Sequence, residues 1–151
     1  MKKVLNPVIS LCSGIAVFAL MFLPWIDLSS IDGITVKSYT GWDLINGDSV
    51  FGNMGLYRIG AIALLIFSAI LIIASLLALA KNGNSLATIN KVCFGLLVVS
   101  AIIALFGVFL IVEEYIESPY LLVCSYGLGS LITVAVTAIG MIITSFTSDN
   151  K

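Results

Sequence analysis

Histidine is absent from this chain of 151 residues, and charge is scarce: Lys, Arg, Asp and Glu together make up 10% of it. Without His, the usual general base near neutral pH and the commonest metal ligand are missing. Seven cations against eight acids leave a formal net charge of −1, which supplies no basic field for a nucleic acid. The three cysteines, Cys12, Cys93 and Cys124, form no C-x-x-C pair, which argues against a thiol–disulfide oxidoreductase or a zinc knuckle. G-x-x-x-x-G-K-[ST], H-E-x-x-H and G-x-S-x-G are all missing, so no cofactor, metal, catalytic residue or small-molecule substrate is expected. A soluble domain carries roughly 25% charge. With 60% hydrophobic residues and a mean hydropathy of +1.18, this chain cannot clothe a water-facing surface. A non-enzymatic integral membrane protein is expected, with the lipid bilayer as its first partner.

What is present is four long apolar blocks separated by charge. They predict spans at about 4–26, 57–80, 92–112 and 121–144 in a single membrane domain, 1–151, with an outer loop at 27–56. The block between Arg58 and Lys81 has 22 uncharged residues. As a helix it reaches about 33 Å, enough to cross a hydrocarbon core of about 30 Å. Met1-Lys2-Lys3 and the apolar run after it imitate a signal peptide. The run outlasts an ordinary h-region and ends at Leu23-Pro24-Trp25 without a small-residue cleavage site, so an uncleaved span is expected. With the N-terminus inside, the inner side holds five lysines against Asp149, a net +4. The outer side holds Lys37 and Arg58 against seven acids, a net −5. That bias predicts both termini in the cytoplasm of a plasma (cell) membrane protein. Every Trp and Tyr falls on the outer side or its boundary.

The span interiors contain no ionisable side chain, and neither Pro7 nor Pro24 breaks a span at its centre, which argues against a transporter or pump. They do contain small residues on one face: Cys12, Ala16 and Ala19; Ala61, Ser68 and Ser75; Cys93, Ser100 and Gly107; Ser130, Thr133, Thr137, Gly140 and Thr144. Such faces let helices approach closely in lipid, and their hydroxyls bond across helices or back to i−4 carbonyls. Two readings follow, a polar lumen or oligomer interface and the inside of one four-helix bundle. Seams on all four spans favour the bundle. The cysteines read as packing residues, with no pair on an oxidising side.

The first outer loop is the one long enough to fold. Trp25-Ile26-Asp27-Leu28 starts an extended run, Asp32-Gly33 signals a turn, and Ile34 to Thr40 is rich in β-formers. Gly41-Trp42 interrupts it, and Asn46-Gly47-Asp48 marks a second turn. A small β-hairpin or sheet resting on the helix ends is expected. The order Leu23-Pro24-Trp25, two strands, Gly41-Trp42 and then Arg58 at the outer start of span two resembles, distantly, the claudin-like four-span family, in the manner of a microbial relative. That family's loop cysteine pair has no counterpart between Asp43 and Phe51. The resemblance implies that Trp25, Gly41 and Trp42 pin the sheet to the membrane surface and that Arg58 ties the second helix to the loop. An interfacial aromatic belt and a snorkelling Arg account for the same residues.

The acids Asp27, Asp32, Asp43, Asp48, Glu113, Glu114 and Glu117 would attract cations or a basic partner, or simply remain solvated and enforce topology; they lack calcium-loop spacing. The expected fold is therefore an all-α membrane protein: a four-transmembrane-helix bundle with both termini cytoplasmic and a small sheet in the first extracellular loop. The expected function is contact through that loop, in self-association, with another membrane or cell-envelope protein, or as an accessory subunit of a membrane complex. The alternative is an oligomeric ion-conducting pore or paracellular-type cation-selective channel.

Overall fold

The computed structural model describes residues 2–30, 32–46, 55–81, 87–116 and 122–148. The expected turn at Gly47-Asp48, the acids Asp48 and Glu117, the segment 82–86 and the last three residues lie outside them. The order is α1 (Lys2–Leu20), β1 (Pro24–Ser30), β2 (Thr35–Thr40), α2 (Gly41–Asn46), α3 (Gly55–Lys81), α4 (Ala87–Ile116), β3 (Leu122–Tyr126) and α5 (Leu128–Ser148).

Among the described residues three helices are long and apolar enough to cross a membrane, at Gly55–Ala80, Thr88–Glu113 and Leu128–Phe146; a shorter apolar helix spans Leu5–Leu20. α3 packs on α1 and α4, and α5 packs on α4 and α1. Polar and apolar residues are sorted against the habit of a water-soluble protein. Ser68, Ser75, Thr133 and Thr137 are buried between helices, while Ile66, Ile73, Ile102, Phe106, Ile139 and Phe146 face outward. Such a surface is compatible with hydrocarbon and not with water. The chain is a membrane-embedded helical protein.

Two of the apolar blocks divide differently from the expected spans. The block 4–26 is not helical throughout: α1 stops at Leu20, three i→i+3 bonds close the turn Met21–Leu23, and Pro24 opens a strand. The pyrrolidine ring disfavours helix at the residue before it and is tolerated at the first position of a strand. Pro7 lies in the second turn of α1, where it leaves one carbonyl without its helical partner. The block 121–144 likewise begins as strand; α5 starts at Leu128 and runs on past Thr144.

The strands form one antiparallel sheet of order β2-β1-β3. β1 is central, pairing Asp27 with Ser38 and Leu28 with Lys37 on one side, and Ile26 with Tyr126 and Leu28 with Cys124 on the other. The β1–β2 hairpin closes through Ser30 N–H to Ile34 O (2.8 Å), and Gly33 takes a φ of 78°, a left-handed value that favours glycine. The third strand, from a segment expected to be helix, joins the chain between α4 and α5 to the hairpin between α1 and α2. The sheet therefore binds both connections at one end of the helices, here called the sheet end.

Candidate functional site: the sheet-end cap

The cap is organised around Trp25. Its ring is 1% exposed. The indole N–H donates to the Leu20 carbonyl at 2.9 Å, satisfying one of the acceptors that the end of α1 leaves open. Tyr57 meets the indole edge-on at 5.6 Å, and its hydroxyl donates to Gly41 O at 3.0 Å. Two glycines make room for the ring: a methyl at Gly129 would lie 2.7 Å from Trp25 Cδ1, and one at Gly41 would lie 3.0 Å from Nε1. Met21 O accepts from Trp42 N–H at 3.1 Å. Helix ends and sheet thus share one buried joint, and Trp25 and Gly41 sit in it.

Trp42, unlike Trp25, does not bury its ring. It is 43% exposed and stacks on exposed Phe22 at 6.2 Å. Phe18 continues this outward row, edge-to-face with Phe22 at 5.9 Å. An indole with one apolar face supported and the rest open suits the level where lipid headgroups meet hydrocarbon. Arg58 is exposed, and its neighbour Tyr57 bonds α3 to the cap. The sequence pattern contained a sign of this: Tyr57 precedes Ala61 by four residues and so continues the face of Ala61, Ser68 and Ser75.

The sheet has two unlike faces. Ile26, Leu28 and Tyr39 are buried toward the helices. On the opposite face Ser38 Oγ donates to the Asp27 carboxylate. α2 begins with a reciprocal cap: Thr40 N–H and Oγ1–H donate to Asp43 Oδ2 at 3.0 and 2.7 Å, and Asp43 N–H donates to Thr40 Oγ1 at 3.2 Å. This exchange satisfies open donors at the helix start. Asp27 and Asp43 are thereby engaged locally. Among the described residues no three His, Cys, Asp or Glu gather as metal ligands would.

At the edge, apolar side chains are exposed: Ile34, just before β2, is 68% and Val36, within it, 61% exposed. The β1–β2 register shifts between Leu28 and Ser29, so Val36 has no Cα partner on β1. Lys37 lies over the Tyr39 ring at 4.7 Å. A short strand with a lysine and an irregular register resists indiscriminate edge pairing, so what this edge offers is side chains. A separate groove of about 310 Å³ between α4, β3 and α5 is lined by Ile102, Leu105, Phe106, Phe109, Tyr126 and Leu131, a lining suited to hydrocarbon.

The helix-packing residues lie deeper. Ser68, Ser75, Ser100, Gly107, Thr133, Thr137 and Gly140 are all buried. Each hydroxyl bonds within its own helix, as in Ser75 Oγ–H to Leu71 O at 2.6 Å and Thr137 Oγ1–H to Thr133 O at 3.0 Å. The glycines bring helices together: a methyl at Gly107 would lie 2.6 Å from Tyr57 N, and one at Gly140 would lie 2.6 Å from Phe94 Cε1. α1 departs from its expected stripe. Cys12 and Ala19 are exposed, and the buried face is Ser10, Ser13, Gly14 and Val17. Small residues occur on both sides of α1, and the closer approach of Gly14 to Ser68 O and Ile72 decides which side faces inward.

The molecule is a membrane-embedded helical protein whose helices carry a sheet across one end. No family model, curated protein or solved structure matches the chain.

Proposed function

We propose that the chain crosses the plasma membrane four times with both termini in the cytoplasm, and that the sheet-end cap is an outward platform for contact with protein: a second copy or another membrane or envelope protein. The apolar helix Leu5–Leu20 reaches about 24 Å, and the apolar turn Met21–Leu23 carries it toward the roughly 30 Å hydrocarbon thickness, which supports a fourth span. The charge difference between the two sides supports the orientation. The Trp25 joint and the Gly41-Trp42 step are also what a claudin-like architecture would use to seat its outer sheet.

The observation that carries the contact function is the exposed pair Ile34 and Val36 at the start of the β2 edge, while Ile26, Leu28 and Tyr39 of the same sheet are buried. Apolar groups held out from a rigid support are the material of an interface core. A photo-crosslinking residue at position 36, in native membranes, is expected to yield a discrete adduct with a copy of the chain or one other protein. The same probe at position 139, on the outward face of α5, is expected to give lipid adducts. Ile34→Lys with Val36→Lys should abolish the discrete adduct, read from a probe at position 38, without reducing insertion. Lipid-only adducts at position 36 would defeat the reading.

A further inference from the structure

One level of the helix assembly, toward the end opposite the sheet, contains buried polar atoms that packing alone does not explain. Ser13 of α1, Phe94 of α4 and Gly140 of α5 meet: a methyl on Gly140 would lie 2.6 Å from Phe94 Cε1 and 2.9 Å from Ser13 Oγ. α1 and α4 run away from this point in one sense and α5 in the other. One turn farther from the sheet therefore brings Ser10, Asn90 and Thr144 to a common level. α3 adds Ser75, because Gly14 stands against Ser68 O and Ile72, and Ser10 lies one turn beyond Gly14. All four residues are buried: Ser10 and Ser75 at 0%, Thr144 at 4% and Asn90 at 5% exposed. Ser75 and Thr144 donate to carbonyls of their own helices. Ser10 Oγ and Asn90 Oδ1 have no hydrogen-bond partner among the described residues.

An unsatisfied buried polar atom is disfavoured, and more so between membrane helices, where bulk water cannot reach it. Two such atoms at one level, on helices facing each other across the assembly, define a site for a small polar guest. Asn90 Oδ1 only accepts, while the Ser10 hydroxyl donates and accepts. The guest must therefore donate to one side and can do either at the other. We propose that this layer binds an internal water that donates to Asn90 Oδ1, accepts from the Ser10 hydroxyl, and gives its second proton to the hydroxyl oxygen of Ser75 or Thr144. A buried water typically makes two to four such bonds. A bare monovalent cation would find oxygens here but no carboxylate among these four residues to offset the loss of its hydration.

The experiment is a double-mutant cycle, Ser10→Ala, Asn90→Leu and both, in bilayer-mimetic unfolding of the full chain. With a bridging water, each single substitution lowers the folding equilibrium constant roughly fivefold, the size of one net hydrogen bond. The second substitution then adds little, because the bridge is already broken. If the two atoms have no guest, each substitution removes an orphan, raises the constant, and the effects add; that result overturns the proposal. Wild-type protein provides a readout independent of variant folding: water-edited solid-state NMR should transfer magnetisation to the Asn90 side-chain amide faster than to the amide of Leu97, and equal slow transfer overturns it. Exchanging sodium for choline at constant ionic strength should leave the unfolding midpoint unchanged. A sodium-dependent rise would reassign the guest to a cation and also overturn the water.

Discussion

Individual residues in the cap are constrained by what their side chains would meet. Gly127 links β3 to α5, donates its N–H to Trp25 O at 2.9 Å, and has no room for a methyl, which would lie 2.3 Å from Pro24 O and 2.5 Å from Pro24 C. Those neighbours are backbone and cannot rotate away. Gly127→Ala should therefore displace β3 from β1 and cost at least the 1–3 kcal/mol typical of overpacking. Gly95 in α4 is the control, since nothing lies within 4 Å of its added methyl. Gly95→Ala should stabilise by up to about 1 kcal/mol through helix propensity alone. Unfolding curves in bicelles check both, and a Gly127→Ala protein as stable as wild type would contradict the packed junction. The two tryptophans separate on the same grounds. Trp25→Ala empties a buried socket and should cost about 3–5 kcal/mol. Trp42→Ala, from a position 43% exposed, should cost clearly less while weakening attachment at the membrane surface. Comparing their unfolding midpoints checks the order.

Among elements, periodicity and turn chemistry encode part of the structure locally. The uncharged runs after Arg58 and Lys91 correspond to the long apolar helices, and Asp32-Gly33 marks the β1–β2 turn. β3 was not legible, because Leu122–Tyr126 is as apolar as the helix that follows and hydropathy does not distinguish a buried strand from a span. Its pairing with β1 joins residues as far as a hundred positions apart, as Ile26 with Tyr126, which no local window detects. The joint was half legible: Trp25 and Gly41 could be named from their motif, whereas Tyr57 was hidden among boundary aromatics. Tyr57→Phe keeps the ring against Trp25 and removes only the 3.0 Å bond to Gly41 O. It should cost about 1 kcal/mol, and hydrogen exchange should quicken in α2 while α3 is unchanged. α5 gives the corresponding test for helix packing. Thr137 is 0% exposed and bonds back to Thr133 O and Val134 O. Thr137→Ala should be mild, near the 0.6 kcal/mol average for membrane hydrogen bonds, and Thr137→Leu should cost about 1–3 kcal/mol by overfilling. Equal tolerance of the two in detergent unfolding would place Thr137 toward lipid.

At the scale of the whole molecule, the sheet and the charge pattern bear on the same question, which end faces out. The sheet ties the connection after α1 to the connection after α4, so those two segments lie on one side whatever the orientation. That side includes Asp27, Asp32, Asp43 and Glu113. The opposite side receives Lys2, Lys3, Lys81 and Lys91, at or near helix ends remote from the sheet. Lysines near span ends are retained on the cytoplasmic side during insertion, and acids exert little pull of their own. The inference therefore rests on the lysines, with Lys37 and Arg58 the only basic residues on the sheet side among the described residues. In a background with Cys12, Cys93 and Cys124 replaced, Thr35→Cys, exposed on β2, should react with an impermeant thiol reagent added to intact cells. Ser85→Cys, between Lys81 and Lys91, should react only after permeabilisation. Labelling of position 85 in intact cells would invert the protein and turn the β2 edge toward the cytoplasm. Replacing Lys2, Lys3, Lys81 and Lys91 together with Gln should mix the two labelling patterns, because the sheet fixes which segments travel together and the lysines choose the side.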